Sequence, residues 1–414
     1  MTEAPPLSVA ASPADAPPRL SRNVAALGVV SLCMGMSSAM IHSLLPGFLV
    51  AVLGASTLTV GAIEGIAEST ASFMKIFSGR LSDWMGCRKP LVLFGYGLSA
   101  LTKPLFPLAA TGSIVLLARF LDRVGKGLRD APRDALLADV TPYGIRGAGF
   151  GLRHALYTVG AIAGPLAAMA LMALSADDFR LVFWIALIPA TASVLVLAVG
   201  VSEPARANAE ERPTIAFRRQ DLRRLGRRFW WAVAIAALLS LARFSPAFLL
   251  LKAGHVGMDA AAVPAVFALM NLVYCVTAYP CGALSDRIDV RVQLAVGIAT
   301  LVAAHLVLAT AHSVAIAALG AGLWGLQMGI TQGLLSATVA NTAPPDLRGT
   351  AFGLYELVVG LATLLASTGA GALWLTAGPA AVFGAAAAFA GGAGLMLLCS
   401  GPLNVARRRH ARKV

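Results

Sequence analysis

The chain has 414 residues, of which 58% are hydrophobic and only 13% charged, and its mean hydropathy is +0.77. A chain that apolar has too little polar surface to cover itself in water, which excludes an ordinary soluble domain and makes lipid its expected solvent. The formal net charge of +13 does not point to nucleic acid, because the Lys and Arg residues fall mostly between apolar runs, where they set topology.

Residues 1–21 are Pro- and Ala-rich, without an apolar core before a small-residue cleavage site, and read as a disordered cytoplasmic tail rather than a signal peptide. A membrane crossing needs about 20 mostly apolar residues. Eleven stretches qualify, near 24–53, 57–78, 90–110, 147–174, 180–200, 229–251, 262–281, 292–310, 314–340, 351–375 and 380–400. The stretch 113–138 starts apolar and then carries Arg119, Asp122, Arg123, Lys126, Arg129, Asp130, Arg133 and Asp134. These charges recur at three- and four-residue steps, so many share one stripe of a helix, where opposite signs can pair. Without this helix every later loop would change sides. The five cysteines (Cys33, Cys87, Cys275, Cys281, Cys399) are scattered and form neither a disulfide framework nor a metal cluster.

Basic residues mark one side of the membrane: the tail, the 79–90 loop, the 123–146 region, the linker 202–228 and the C-terminus. Loops near 54–56, 110–113 and 376–379 hold no Lys or Arg. Both termini are therefore expected in the cytoplasm, which requires an even number of helices, and twelve fits. The expected organisation is a tail (1–21), a six-helix bundle (22–201), a basic cytoplasmic linker (202–228), a second six-helix bundle (229–401) and a basic tail (402–414). The linker and tail are expected to meet anionic headgroups of the lipid bilayer.

The chain repeats itself across that linker. Gly79-Arg80-Leu81-Ser82-Asp83 returns as Gly282-Ala283-Leu284-Ser285-Asp286, an offset of 203 (282 − 79). Arg146-Gly147-Ala148-Gly149-Phe150-Gly151 returns as Arg348-Gly349-Thr350-Ala351-Phe352-Gly353, an offset of 202 (348 − 146). Two matches at nearly one offset describe an all-α membrane protein of two parallel six-helix pseudo-repeats, with a substrate path between them.

The run Gly79-x-Leu81-Ser82-Asp83-x-x-Gly86-x-Arg88-Lys89 resembles the loop signature of the major facilitator superfamily between its second and third helices. The segment around Gly282, Asp286 and Arg287 resembles its second-half copy; Trp84, Cys87 and Asp289 depart from the pattern. The run Arg119-x-x-Asp122-Arg123-x-Gly125-Lys126-Gly127-x-Arg129-x-x-Pro132-Arg133-Asp134 resembles a bacterial branch of the superfamily whose members mostly lack an assigned substrate. The resemblance implies the twelve-helix fold, alternating access, and a gating role for Gly79, Asp83, Gly86, Arg88 and their second-half counterparts, with Asp83 pairing with Arg88 or a neighbouring helix end. The alternative reading of those residues is a turn with topology-setting charges. Gly160, Gly164 and Pro165 are similar to a shortened form of the fifth-helix motif of antiporters, which favours export. Small residues at four-residue spacing allow tight packing there, and Pro165 permits a bend.

Charges inside the membrane are costly and usually face a cavity or a partner. Glu64, Glu68 and Lys75 fall within about 40° of one another on the second helix at about 100° per residue. Two carboxyls one turn apart repel when both are ionised, which suits proton exchange; a structural ion pair with Lys75 or Arg119 is the alternative. Proton-coupling candidates are Glu64, Glu68, Asp122 and Arg119. Related families place an arginine implicated in proton coupling on the fourth helix; Arg119 and Arg123 both fit that position. Arg119 is taken, with Asp122 or Glu68 as partner. Residues 129–134 are expected near the cytoplasmic surface as anchors.

Substrate-pocket candidates are Lys75, Arg153, His154, Tyr157, Arg243, Asn271, Gln327, Tyr355 and Glu356. His154 either titrates or bonds across helices, and Arg243 either attracts an anion or pairs with Glu356. His42 with Met34, Met36 and Met40 reads as packing, not as a metal site. Enzyme and nucleotide-binding constellations are missing, so no cofactor and no enzymatic activity are expected. The expected function is a monomeric secondary transporter of the plasma (inner) membrane, exporting a small organic molecule against protons. Uptake or exchange of an anionic metabolite is the alternative, and a membrane sensor or enzyme is a more remote one.

Overall fold

The computed structural model describes residues 22–85, 87–141, 146–203, 224–285, 288–331, 334–342 and 347–399. The two tails, most of the basic linker, Gly86, Asp286 and Arg287 lie outside them, as do the side chain of Asp83 and the surroundings of Gly282. Apolar runs form helices, their many glycines and occasional prolines included, because only a helix satisfies its own backbone in lipid. In the first half these are α1 (Arg22–Gly47), α2 (Thr57–Met85), α3 (Lys89–Thr102), α4 (Gly112–Asp139), α5 (Arg146–Leu174), α6 (Phe179–Ile185) and α7 (Leu187–Gly200). The second half comprises α8 (Arg227–Ala242), α9 (Ala247–His255), α10 (Pro264–Ser285), α11 (Val290–Thr310), α12 (Val314–Thr331), α13 (Leu334–Thr342) and α14 (Arg348–Cys399).

Among the described residues, seven helical stretches are long and apolar enough to cross a membrane. The longest, Ala351–Cys399, is divided at Gly378, whose φ of +80° only glycine adopts readily, followed by Pro379. α4 fails a hydropathy test yet is one continuous helix of 28 residues, because its charged stripe faces inward rather than toward lipid.

Packing order is the same in both halves. α1 packs on α5, α2 on α4 and α3 on α4; α8 packs on α14, α10 on α12 and α11 on α12. One contact repeats almost residue for residue. A Cβ on Gly127 of α4 would meet Met74 of α2 at 2.3 Å, and one on Gly329 of α12 would meet Thr277 of α10 at 2.1 Å. The offsets are 202 (329 − 127) and 203 (277 − 74), those of the sequence repeat. The halves meet where α2 lies along α14, α5 along α10, and α1 against α9. A Cβ on Gly61 would come within 2.2 Å of the Ser367 carbonyl, and one on Gly371 within 2.4 Å of the Thr57 carbonyl. The α2–α14 seam is therefore closed at backbone contact.

Candidate functional site

α2 and α4 run side by side, and their charges pair like rungs. Glu64 takes Nη2 of Arg119 at 2.7 and 2.6 Å on its two carboxylate oxygens, and Glu68 takes Arg123 at 3.0 Å. Both pairs are separated by 55 residues, so a four-residue step on one helix meets a four-residue step on the other. Glu64 is 1% exposed and Arg119 3%. Glu64 also lies 3.0 Å from Nε2 of His42 on α1 and accepts the Ser245 hydroxyl, 3.1 Å away, from the second half. Ser245 sits in the break between α8 and α9, where its own N–H donates to Ser367 of α14.

These pairings correct several expectations. Arg119 takes Glu64, the ion pair that the sequence offered as the alternative, rather than Asp122 or Glu68. Asp122 instead accepts from Lys103 at 3.1 Å, both groups buried, with Lys103 also 3.4 Å from the Ser38 hydroxyl. Glu64 and Glu68 each have their own guanidinium, so repulsion between them is offset; Lys75 pairs with neither. The ligand-type atoms of His42, Glu64 and Glu68 lie within 4.8 Å of one another. Both carboxylates already carry a guanidinium, so the charge there is balanced without a metal ion.

Below this cluster, a cavity of about 410 Å³ opens between the halves. α2 and α4 contribute Lys75, Arg123, Lys126, Arg129, Asp130 and Arg133; α5 contributes Arg153, His154 and Tyr157; α10 contributes Asn271 and Tyr274. Arg129 and Arg133 are thus buried cavity residues and not surface anchors. Arg129, 6% exposed, donates to the Ser99 hydroxyl and the Gly95 carbonyl and lies 4.4 Å from the Tyr96 ring centroid. Arg133 pairs with Asp130 at 3.0 Å and Asp134 at 2.9 Å, and Arg153 reaches Asp134 at 3.7 Å. Nε2 of His154 lies 3.3 Å from the Tyr274 hydroxyl, bridging α5 and α10.

The other candidates gather elsewhere. Arg243 donates to the Thr331 hydroxyl, which Gln327 also approaches at 3.1 Å, and it forms no salt bridge with Glu356. Tyr355 is buried among Phe229, Val233 and Leu347. On the loop face, Arg88 pairs with Asp139 at the end of α4 at 2.9 Å, and the Arg88 and Lys89 N–H groups donate to Glu203. A Cβ on Gly160 would meet the Leu32 carbonyl at 2.3 Å and one on Gly164 the Met36 carbonyl at 2.5 Å. The fifth-helix glycines therefore permit the close α1–α5 approach. Lys103 and Ser245 carried no sequence signal beyond being polar in apolar surroundings, and His42 was legible only as packing.

A second, largely apolar cavity of about 350 Å³ lies toward the opposite end of the halves, lined by Leu44, Val50, Phe179, Leu250 and Trp374 among others. Thr57 and Gly371, at the Arg-free end of the α2–α14 seam, lie beside or near it.

The family model of the major facilitator superfamily matches residues 27–367 and 231–413. An uncharacterised MFS-type transporter of Methanocaldococcus jannaschii is 31% identical over 361 residues, covering 86% of this chain and 89% of that protein. The multidrug resistance protein MdtH of Photorhabdus laumondii is 33% identical over 132 residues, 32% of each chain. Among solved structures, a peptide transporter POT in complex with sulfate superposes with a TM-score of 0.76 at 14% identity, covering 91% of this chain and 94% of that one. The likeness extends to the fold, and its relatives are transporters rather than enzymes. The chain is a multi-pass integral membrane protein that belongs to the major facilitator superfamily of transporters.

Proposed function

We propose that this protein carries a small anionic organic solute across the membrane by alternating access of its two halves around the cavity of α2, α4, α5 and α10. The observation that carries this reading is the cavity wall, where Lys75, Lys126 and Arg129 face one space without a carboxylate at salt-bridge distance among the described residues. Cations left unpaired in low dielectric are costly unless a ligand of opposite charge completes them. The reading takes twelve spans in two six-helix repeats, both termini cytoplasmic, in the plasma membrane, with a monomer as the working unit. A direct test loads proteoliposomes with a metabolite extract and identifies by mass spectrometry what leaves relative to protein-free vesicles. Anions are expected in the released set; release confined to cations or neutral compounds would sink the proposal.

Proton coupling joins this reading through Glu64. Its carboxylate holds Arg119 and His42 in one half and Ser245 in the other, so a proton on Glu64 weakens a bond between the halves. The antiporter-like Gly160, Gly164 and Pro165 and the partial similarity to MdtH favour export over uptake. Proton coupling predicts substrate-dependent pH change inside proteoliposomes that Glu64→Gln abolishes. Solute flux with no pH change in the wild type would remove protons from the scheme.

A further inference from the structure

The charge of the cavity wall can be counted, and the count constrains the solute. Among the described residues, six cationic side chains line it: Lys75, Arg123, Lys126, Arg129, Arg133 and Arg153. Three carboxylates answer them at salt-bridge distance: Glu68 on Arg123, Asp130 on Arg133, and Asp134 shared by Arg133 and Arg153. The surplus is three (6 − 3), and the residues that carry it are Lys75, Lys126 and Arg129.

The surplus is held in place. Lys126 stands one turn from Arg123 and one turn from Arg129 on α4, and Lys75 approaches it from α2. Arg129 is buried and fixed by Ser99, Gly95 and the face of Tyr96, so it cannot swing away to solvent. A single negative charge would leave two of the three cations unanswered in the same small space. Two charges leave one. The remaining wall, with His154, Tyr157, Asn271 and Tyr274, is neutral, hydrogen-bonding and partly aromatic, and faces the charged wall across about 410 Å³. That volume suits a small molecule of metabolite size.

We infer that the solute bears two or more negative charges on a compact headgroup, a phosphomonoester or a dicarboxylate, set against Lys75, Lys126 and Arg129. Its uncharged body lies against Tyr157, Asn271 and the His154–Tyr274 pair. This rests on the anion reading of the cavity and goes further by fixing the valence.

The test compares probes matched in shape and differing by one charge: sulfate with methyl sulfate, and glucose 6-phosphate with glucose 6-sulfate. Each is titrated at pH 7.5 and constant ionic strength onto the full-length protein in lipid nanodiscs, following thermal unfolding. Lys75→Gln/Lys126→Gln serves as the reference for non-specific salt effects. In at least one pair the dianion is expected to stabilise the wild type saturably, at a concentration roughly tenfold or more below its monoanion. Lys126→Gln is expected to weaken that binding by about tenfold or more and to raise the unfolding temperature without ligand, since repulsion from Arg123 and Lys75 together with burial outweighs the attraction of Glu68 and Asp130 for this charge. A purely structural lysine would lower it. Equal binding of both members of each pair overturns the two-charge inference and leaves the anion reading standing. If no probe shifts the wild type beyond the double variant, both fall.

Discussion

Glu64 and Arg119 form a buried pair whose energetics can be worked out before any transport is measured. Glu64→Gln removes the charge and keeps the shape, leaving Arg119 charged, 3% exposed and facing an amide. Removing one partner of a buried pair costs about 3–5 kcal/mol, because the remaining charge is left without its compensation. Arg119→Gln strands Glu64 in the same way, although His42 at 3.0 Å retains part of the compensation. The cost there belongs toward the lower end of the range. Glu64→Gln/Arg119→Gln removes both charges, and a neutral pair of similar volume is often no less stable than the ion pair it replaces. The double variant should therefore be more stable than either single variant, with a coupling energy of at least about 2 kcal/mol. Denaturant titration of the purified protein in one detergent, read by tryptophan fluorescence, supplies all four corners of the cycle. Additive losses, with the double variant the least stable of the four, would refute the pairing.

Three further outcomes follow from the same contacts. Lys103→Met strands Asp122 in a buried site and should cost about 3–5 kcal/mol, much of which Lys103→Met/Asp122→Asn restores in the same denaturant assay. Gly160→Ala forces a methyl to within 2.3 Å of the Leu32 carbonyl on α1, and a loss of about 1–3 kcal/mol is expected where Gly151→Ala, with open space around it, is neutral. Gly61→Ala places its methyl on the Ser367 carbonyl across the halves, so it should open the α2–α14 seam without unfolding either half. A cysteine introduced at Thr57 should then react faster with a membrane-impermeant maleimide, while an unchanged rate would show that the seam tolerates the methyl.

The repeat was legible in the sequence from two motifs, 79–83 returning at 282–286 and 146–151 returning at 348–353, and the close contacts of Gly127 and Gly329 carry the same offset into the packing. α4 was legible from the three- and four-residue steps of its charges, although hydropathy passes over it. The partners were not. Which rung of α2 meets which rung of α4 depends on the axial register of two helices, set by contacts such as Gly127 on Met74, and a single helix carries no record of it. Arg119 was thus left with Asp122, Glu68 or Glu64 as possible partners, and the register selects Glu64. Arg129 and Arg133 were read as anchors because a single helix carries no record of the cavity that they line together with α5 and α10. For Arg243 a pairing with Glu356 was one of two alternatives, and the break at the end of α8 turns it toward Thr331 instead.

The central claim is that the cationic cavity is where the solute binds as the halves alternate. Solid-supported-membrane electrophysiology tests it most directly, with rapid concentration jumps of glucose 6-phosphate and of glucose onto proteoliposomes of the wild type and of Lys126→Gln. The account predicts a saturable current with glucose 6-phosphate, none with glucose, and a current in Lys126→Gln that needs roughly tenfold more ligand to half-saturate. Equal currents in the two proteins, or a current from glucose and none from its phosphate, would contradict it.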